Sequence, residues 1–398
     1  MKNRSPIFVL FVTILIDLLG FGLVIPIFPI FAKELHATAF QVGVIAGLYS
    51  LMNFLFSPFW GTLSDKIGRR PVMLISIFVT MLAYVFFSFT HNLLFLVFSR
   101  IFAGIGSANI SAAQAYIADI TEPQDRAKNM GLLGAAFGLG FIFGPPVGGY
   151  LKALSGPGSV DMVGYVAAGL CAFNWILAYN FLPESIKQKQ KNKTFRFKPF
   201  SDLSLELKKP VIRELFTVNF LFVTAFSMMQ ITSSLLWLDK YLLTEKSIGF
   251  VFMYMGLTGA IVQGGLVGKL THKFGEKKLL LIGSVSMAIG MFSLPFVPIE
   301  YFLLQLISLA FLAFSNGCIS PAVSSLISQS SSPKEQGQAL GLNQSFGSLA
   351  RVVGPVLGGL LYNIQYTLPY VFGAGLMAIS YWVSKVLQNQ KLSTLEKV

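Results

Sequence analysis

Apolar runs of about 20 residues or more recur along this chain between short polar breaks. As helix, a run of that length crosses a hydrocarbon core ~30 Å thick. Twelve runs are present, over 6–31, 40–62, 71–90, 93–119, 127–153, 162–182, 211–238, 245–268, 279–297, 301–329, 337–362 and 367–388. The separators carry turn and breaker residues: His91-Asn92, Glu122-Pro123, Pro157-Gly158 and Ser332-Pro333. The pattern predicts an all-α membrane protein with 12 transmembrane helices.

Composition agrees, since 54% of the 398 residues are hydrophobic and only 12% charged, where soluble chains carry roughly a quarter. Charge adds orientation. With the N-terminus placed inside, 24 of the 30 Lys and Arg fall on one side, Lys33, Lys152, Lys240 and Lys246 on the other, and Arg100 and Arg351 within spans. That asymmetry predicts cytoplasmic termini. It also accounts for the net charge of +13 by contact with anionic lipid rather than nucleic acid. The first run is longer than a signal-peptide core, contains Asp17 and lacks a small-residue cleavage site, so it reads as a retained helix. Cys171 and Cys318 lie in spans of different halves without metal spacing and read as packing residues.

Two segments are written twice. GTLSDKIGRR (Gly61 to Arg70) returns 207 residues later as GKLTHKFGEK, and the Arg126 to Gly149 segment returns as Gln336 to Gly359 at an offset of 210. Each copy holds six spans, an even number. The copies therefore share one topology, as two six-helix bundles related by a pseudo-two-fold axis along the membrane normal. The expected domains are 1–182, a linker at 183–210 and 211–398. Within the linker, 187–193 reads as a charged tether, and the part from Phe195 onward has apolar spacing suited to the membrane surface.

On these motifs the chain resembles the major facilitator superfamily, and within it the twelve-helix drug:proton antiporters of the tetracycline-exporter-like branch. The carriers are the run from Asp17 to Pro29, the loop GTLSDKIGRRP, the run from Arg100 to Gly104 with Asp119 at the inner end of the same span, and Gly144-Pro-Pro-Val-Gly-Gly149. The resemblance covers nearly the whole chain. It implies a cytoplasmic gate in which Asp65 and Arg69 form a charge network with Asp119; topology determination alone is the plainer reading of the same loop. Glycines 61 and 68 are expected to permit its tight reversal. In the second copy His272 replaces Asp65.

Gly140, Gly144 and Gly148 recur every four residues beside Pro145, Pro146 and Gly149. The spacing makes a smooth face for close packing, and the prolines remove backbone hydrogen bonds. The expected consequence is a pliable contact between the halves. The resemblance reads this run as typical of antiporters; an ordinary packing seam is the alternative.

Asp17 lies about eleven residues inside the first span, ~16 Å deep at helical rise. An ionisable group there is a functional candidate, and burial favours its protonated form. Arg100 is the expected cationic partner, because the resemblance implies that the first and fourth helices line the cavity. Two roles are open for Asp17: proton coupling, or fixed pairing with Arg100. Arg351 is expected to be buried and in need of a partner, with a gating or structural role set against substrate binding. Tetracycline exporters carry an acid where Ala83 stands, a histidine where Gly259 stands and an acid where Met287 stands. Amides are left for a substrate cavity, namely Asn53, Asn109, Gln114, Gln230, Asn316 and Asn343.

No metal or phosphate motif and no nucleophile triad is spaced for catalysis, so neither an enzyme nor a cofactor is expected. The reading is a proton-coupled exporter of small amphiphilic molecules working by alternating access. Its expected partners are a small-molecule substrate, protons and the lipid bilayer, with the chain a monomer in a bacterial inner membrane. A dedicated carrier of one metabolite is the alternative.

Overall fold

The computed structural model describes residues 6–107, 110–122, 126–186, 209–331 and 336–389. Among them are 12 helical spans long and apolar enough to cross a membrane. We label them α1 (Pro6–Glu34), α2 (Ala39–Ile67), α3 (Arg69–Ser88), α4 (Leu93–Ile120), α5 (Asn129–Ser155), α6 (Asp161–Phe181), α7 (Pro210–Asp239), α8 (Glu245–Phe274), α9 (Glu276–Phe296), α10 (Leu303–Ser330), α11 (Ala339–Ile364) and α12 (Leu368–Asn389).

α1 is broken by one turn at Ile25 and Pro26, between helices Pro6–Val24 and Ile27–Glu34. Pro26 lacks the N–H that would continue the ladder, while Pro29 falls in the first turn of the second piece, where no donor is needed. α8 carries a π-helical segment over Val262–Leu266, around Gly264 and Gly265.

α2 and α8 outrun their expected ends at 62 and 268. The residues of the loop motif stay helical until a single glycine stops them, Gly68 at φ 117° and Gly275 at φ 76°. Residues with a Cβ rarely enter that region. The reversal therefore belongs to Gly68 alone. Gly61, expected to share it, lies inside α2, where its bare Cα faces Ser111 of α4.

The chain divides into two compact units. One is Met1–Ala37, Leu48–Phe197 and Leu243–Met253; the other is Thr38–Gly47, Lys198–Leu242 and Tyr254–Val398. In the first, α1 packs on α5 and α6, and α3 on α4 and α6. In the second, α7 packs on α11 and α12, and α9 on α10 and α12. The repeated sequence thus yields the same neighbour scheme twice.

The glycine runs show why α1 and α5 come so close. A Cβ on Gly144 would fall 2.7 Å from the Cα of Gly22, and one on Gly140 2.8 Å from the carbonyl oxygen of Leu18. A Cβ on Gly148 would collide with the carbonyl oxygen of Leu23. The face expected to lie between the halves therefore packs on α1 of the same half. The contact with second-half residues is made one step round the helix, where Gly149 touches the backbone of Glu245 and Lys246, and Pro145 and Pro146 touch Gly249. The second unit repeats the arrangement: Gly354 and Gly358 pack on Thr224 to Met228 of α7, while Gly359 meets Ala39 and Phe40.

Candidate functional site

The intramembrane acid sits in the first unit. Asp17 is half-buried, and its Oδ1 accepts a hydrogen bond from Asn174 Nδ2 of α6 at 2.8 Å. The same amide nitrogen donates to the carbonyl oxygen of Thr13, one turn earlier, at 2.9 Å. Tyr84 of α3 is buried against Gly20; a Cβ there would lie 3.3 Å from its ring. Asp17, Arg100, Tyr49 and Cys171 all lie within electrostatic reach of Tyr84.

Arg100 is buried. Its guanidinium stands 4.7 Å from the centroid of Phe87 and 5.9 Å from that of Phe28, its Nε donates weakly to Ser99 Oγ, and one Nη has no hydrogen-bond partner. The aromatic faces supply attraction that ordinary hydrogen bonds do not. A buried guanidinium from α4 and a carboxylate from α1 thus share the electrostatic surroundings of one buried phenol from α3.

Asp65, Arg69 and Asp119 are brought together where α2, α3 and α4 end or begin. Arg69 Nη1 meets Asp65 Oδ1 at 2.6 Å, and its Nε meets Asp119 Oδ2 at 3.0 Å. Ser64 Oγ accepts from the same guanidinium, and Ser185 Oγ donates to Asp119 Oδ2. Glu184 Oε1 accepts from the Arg69 backbone N–H at 2.9 Å, placing a carboxylate at the N-terminus of α3. The arginine is held through Nε and Nη1, each of which faces a carboxylate oxygen.

The second copy keeps the scaffold and inverts the chemistry. Arg70 donates to the carbonyl oxygen of Tyr179 in α6, and Lys277 to that of Leu387 in α12. At the position of Arg69 stands Glu276, which accepts from Ser325 and, at 3.1 Å, from Gln329, the counterpart of Asp119. An ion pair in one copy is a carboxylate–amide contact in the other.

The amides expected to line a cavity are scattered. Asn53 donates to Ser107 between α2 and α4, and Asn219 to the carbonyl oxygen of the buried Asn343 between α7 and α11. Gln230 and Asn316 are half-buried and Gln114 is exposed; Asn109 lies outside the described residues. Arg351, expected to be buried, is exposed, with Nη2 reaching Ser348 Oγ of its own helix at 3.3 Å. Its long side chain extends away from the packed α11 face that Ala350 and Gly354 present to α7.

Sequence reasoning missed Asn174, Tyr84 and Glu184, and it counted Lys152 only as one of the four charges on the side opposite the termini. That lysine is 1% exposed, pairs with Glu34 at 2.9 Å and donates to the carbonyl oxygen of Gly156. Asn174 is a lone amide deep in an apolar span, and that was the signal available for it.

The family model of the Major Facilitator Superfamily matches residues 10–300 and 241–394. The tetracycline resistance protein, class C, of Escherichia coli is 31% identical, over 95% of this chain and 96% of its own. Multidrug resistance protein 2 of Bacillus subtilis (strain 168) is 27% identical, over 98% and 97%. The solved nucleoside transporter NupG, at 11% identity, superposes with a TM-score of 0.78 over 98% of this chain and 100% of its own, a likeness of fold alone. With the repeat, the twelve spans and the loop motif in place, the chain belongs to the Major Facilitator Superfamily and is a multi-pass membrane transporter.

Proposed function

We propose that this protein exports small amphiphilic compounds in exchange for protons, by alternating access, with Asp17 as the proton carrier. The observation that carries this reading is a half-buried carboxylate deep in α1 that shares its surroundings with a buried phenol and a desolvated arginine. Protonation removes the negative charge that Arg100 feels through Tyr84; release to the other side restores it. Binding of substrate and of proton then favour different conformers, which is the differential affinity that any coupled exchange requires.

The named relatives confer resistance to tetracycline and to several drugs, which favours export. Position 83 is alanine, where the tetracycline exporters carry an acid, so the reading is of a broader amphiphile specificity. Asp65, Arg69 and Asp119 act as a latch at the cytoplasmic end. The chain sits as a monomer in a bacterial inner membrane with both termini in the cytoplasm, the side where 24 of its 30 Lys and Arg lie.

The test is proton flux in sealed inside-out vesicles, acid inside, challenged with cationic, neutral and anionic drugs. The expected result is drug-triggered release of luminal protons that saturates and is competed by unrelated amphiphiles. Saturable transport of one metabolite with no competition by hydrophobic drugs would overturn the reading.

A further inference from the structure

We propose that Asn174 of α6 is the positioning residue for the proton on Asp17, and that it holds the protonated acid as a cyclic acid–amide pair. This rests on the reading of Asp17 as the proton carrier. Asn174 is 0% exposed, and its Nδ2 donates to Asp17 Oδ1 and to the carbonyl oxygen of Thr13. Both partners are acceptors, which fixes the orientation of the amide. Its own Oδ1 is then left buried with no donor, and Thr13 Oγ1, one turn before Asp17, is buried without a partner as well.

A buried acceptor without a donor is a cost that folded proteins avoid. Here the missing donor is one that Asp17 supplies when it is protonated. The ionised acid takes one hydrogen bond from the amide. The neutral acid keeps that bond through its carbonyl oxygen and donates its new O–H to Asn174 Oδ1, closing a ring of two bonds. One O–H bond forms as the carboxylate takes up a proton, one hydrogen bond to Asn174 Oδ1 is gained, and no other covalent bond is made or broken.

The other titratable or charged groups in this environment are Tyr84 from α3, Cys171 from α6, Arg100 from α4 and Tyr49 from α2. α5 meets this part of α1 with Gly140, Gly144 and Phe141, none of them titratable. Arg100 and the phenols act on the charge of Asp17 from a distance. Asn174 is the group that contacts both the carboxylate and the backbone of α1, so it ties α6 to the protonation state of α1.

The test is infrared difference spectroscopy of the full chain in lipid vesicles, titrated with pH in the absence of substrate. The protonated carboxyl band is assigned by its loss in Asp17→Asn, and the amide carbonyl of Asn174 by isotope-labelled asparagine together with its loss in Asn174→Leu. The expected result is a low-frequency, hydrogen-bonded acid band that rises in frequency in Asn174→Leu, and an amide band in the native protein that falls as Asp17 takes its proton. An acid band unchanged by Asn174→Leu but shifted by Thr13→Val would overturn the pairing, as would an amide band that does not move during the titration. The amide measurement on the native protein stands even if Asn174→Leu fails to insert. Because no substrate is present, failure of the pairing and failure of proton-coupled transport are read separately.

Discussion

Arg69 at the start of α3 binds Asp119 at the end of α4 across 3.0 Å, and Asp65, one turn back in α2, takes the other side of the same guanidinium. One side chain therefore ties three helix ends, and the positive-φ turn at Gly68 places it there.

Asp119→Asn should weaken that tie and leave the fold intact, because Ser185 and Asp65 still satisfy their neighbours. Breaking a partly buried, charge-assisted contact costs about 1–3 kcal/mol. Transport should fall roughly tenfold while the amount of inserted protein stays constant, as read by flux normalised to protein in proteoliposomes.

The second copy should behave differently. Glu276→Gln keeps an oxygen for Ser325 and Gln329 to donate to, so flux should change by less than about twofold. Side-by-side flux of the Glu276→Gln and Asp119→Asn variants measures the asymmetry between the copies; equal losses would contradict it.

The α1–α5 contact makes a prediction about stability. Gly148→Ala places a methyl group against the carbonyl oxygen of Leu23, and overpacking of this kind costs about 1–3 kcal/mol. Gly138→Ala, in the same helix, meets nothing within 4 Å and should gain up to about 1 kcal/mol from helix propensity. Thermal unfolding in detergent should move down for the first and level or up for the second.

Much of this fold was legible in the sequence, because apolar run length and the repeat are direct consequences of lipid as solvent. The two copies at offsets near 210 carried the same neighbour scheme into both halves. Helix ends were legible less well: GTLSDKI looked like a loop by its polarity, yet its residues keep helical hydrogen bonds until Gly68 forbids them. The site was half legible. Asp17 stood out by its charge in an apolar run, but Asn174 and Tyr84 did not, since neither carries a charge and their meaning comes only from lying beside Asp17. Arg351 stood out for the same reason as Asp17 and proved exposed, because depth in a span does not say which face a side chain takes.

Lys240, just past α7, donates to the carbonyl oxygens of Pro295 and Val297, and burial lowers its pKa below the ordinary lysine value. Between the lowered and the ordinary values the unfolded chain binds more protons than the folded one, so stability rises with pH in that alkaline window. Lys240→Arg stays charged throughout and should remove that rise. Unfolding temperature measured against pH for the two proteins checks the sign.

The central claim is that Asp17 carries the coupling proton, and the direct measurement is to separate exchange from coupling in proteoliposomes bearing native protein or Asp17→Asn. The account predicts that Asp17→Asn still exchanges labelled substrate across the membrane at equal concentrations, yet no longer accumulates it against a gradient when a pH difference is imposed. Accumulation by Asp17→Asn equal to that of the native protein would contradict it.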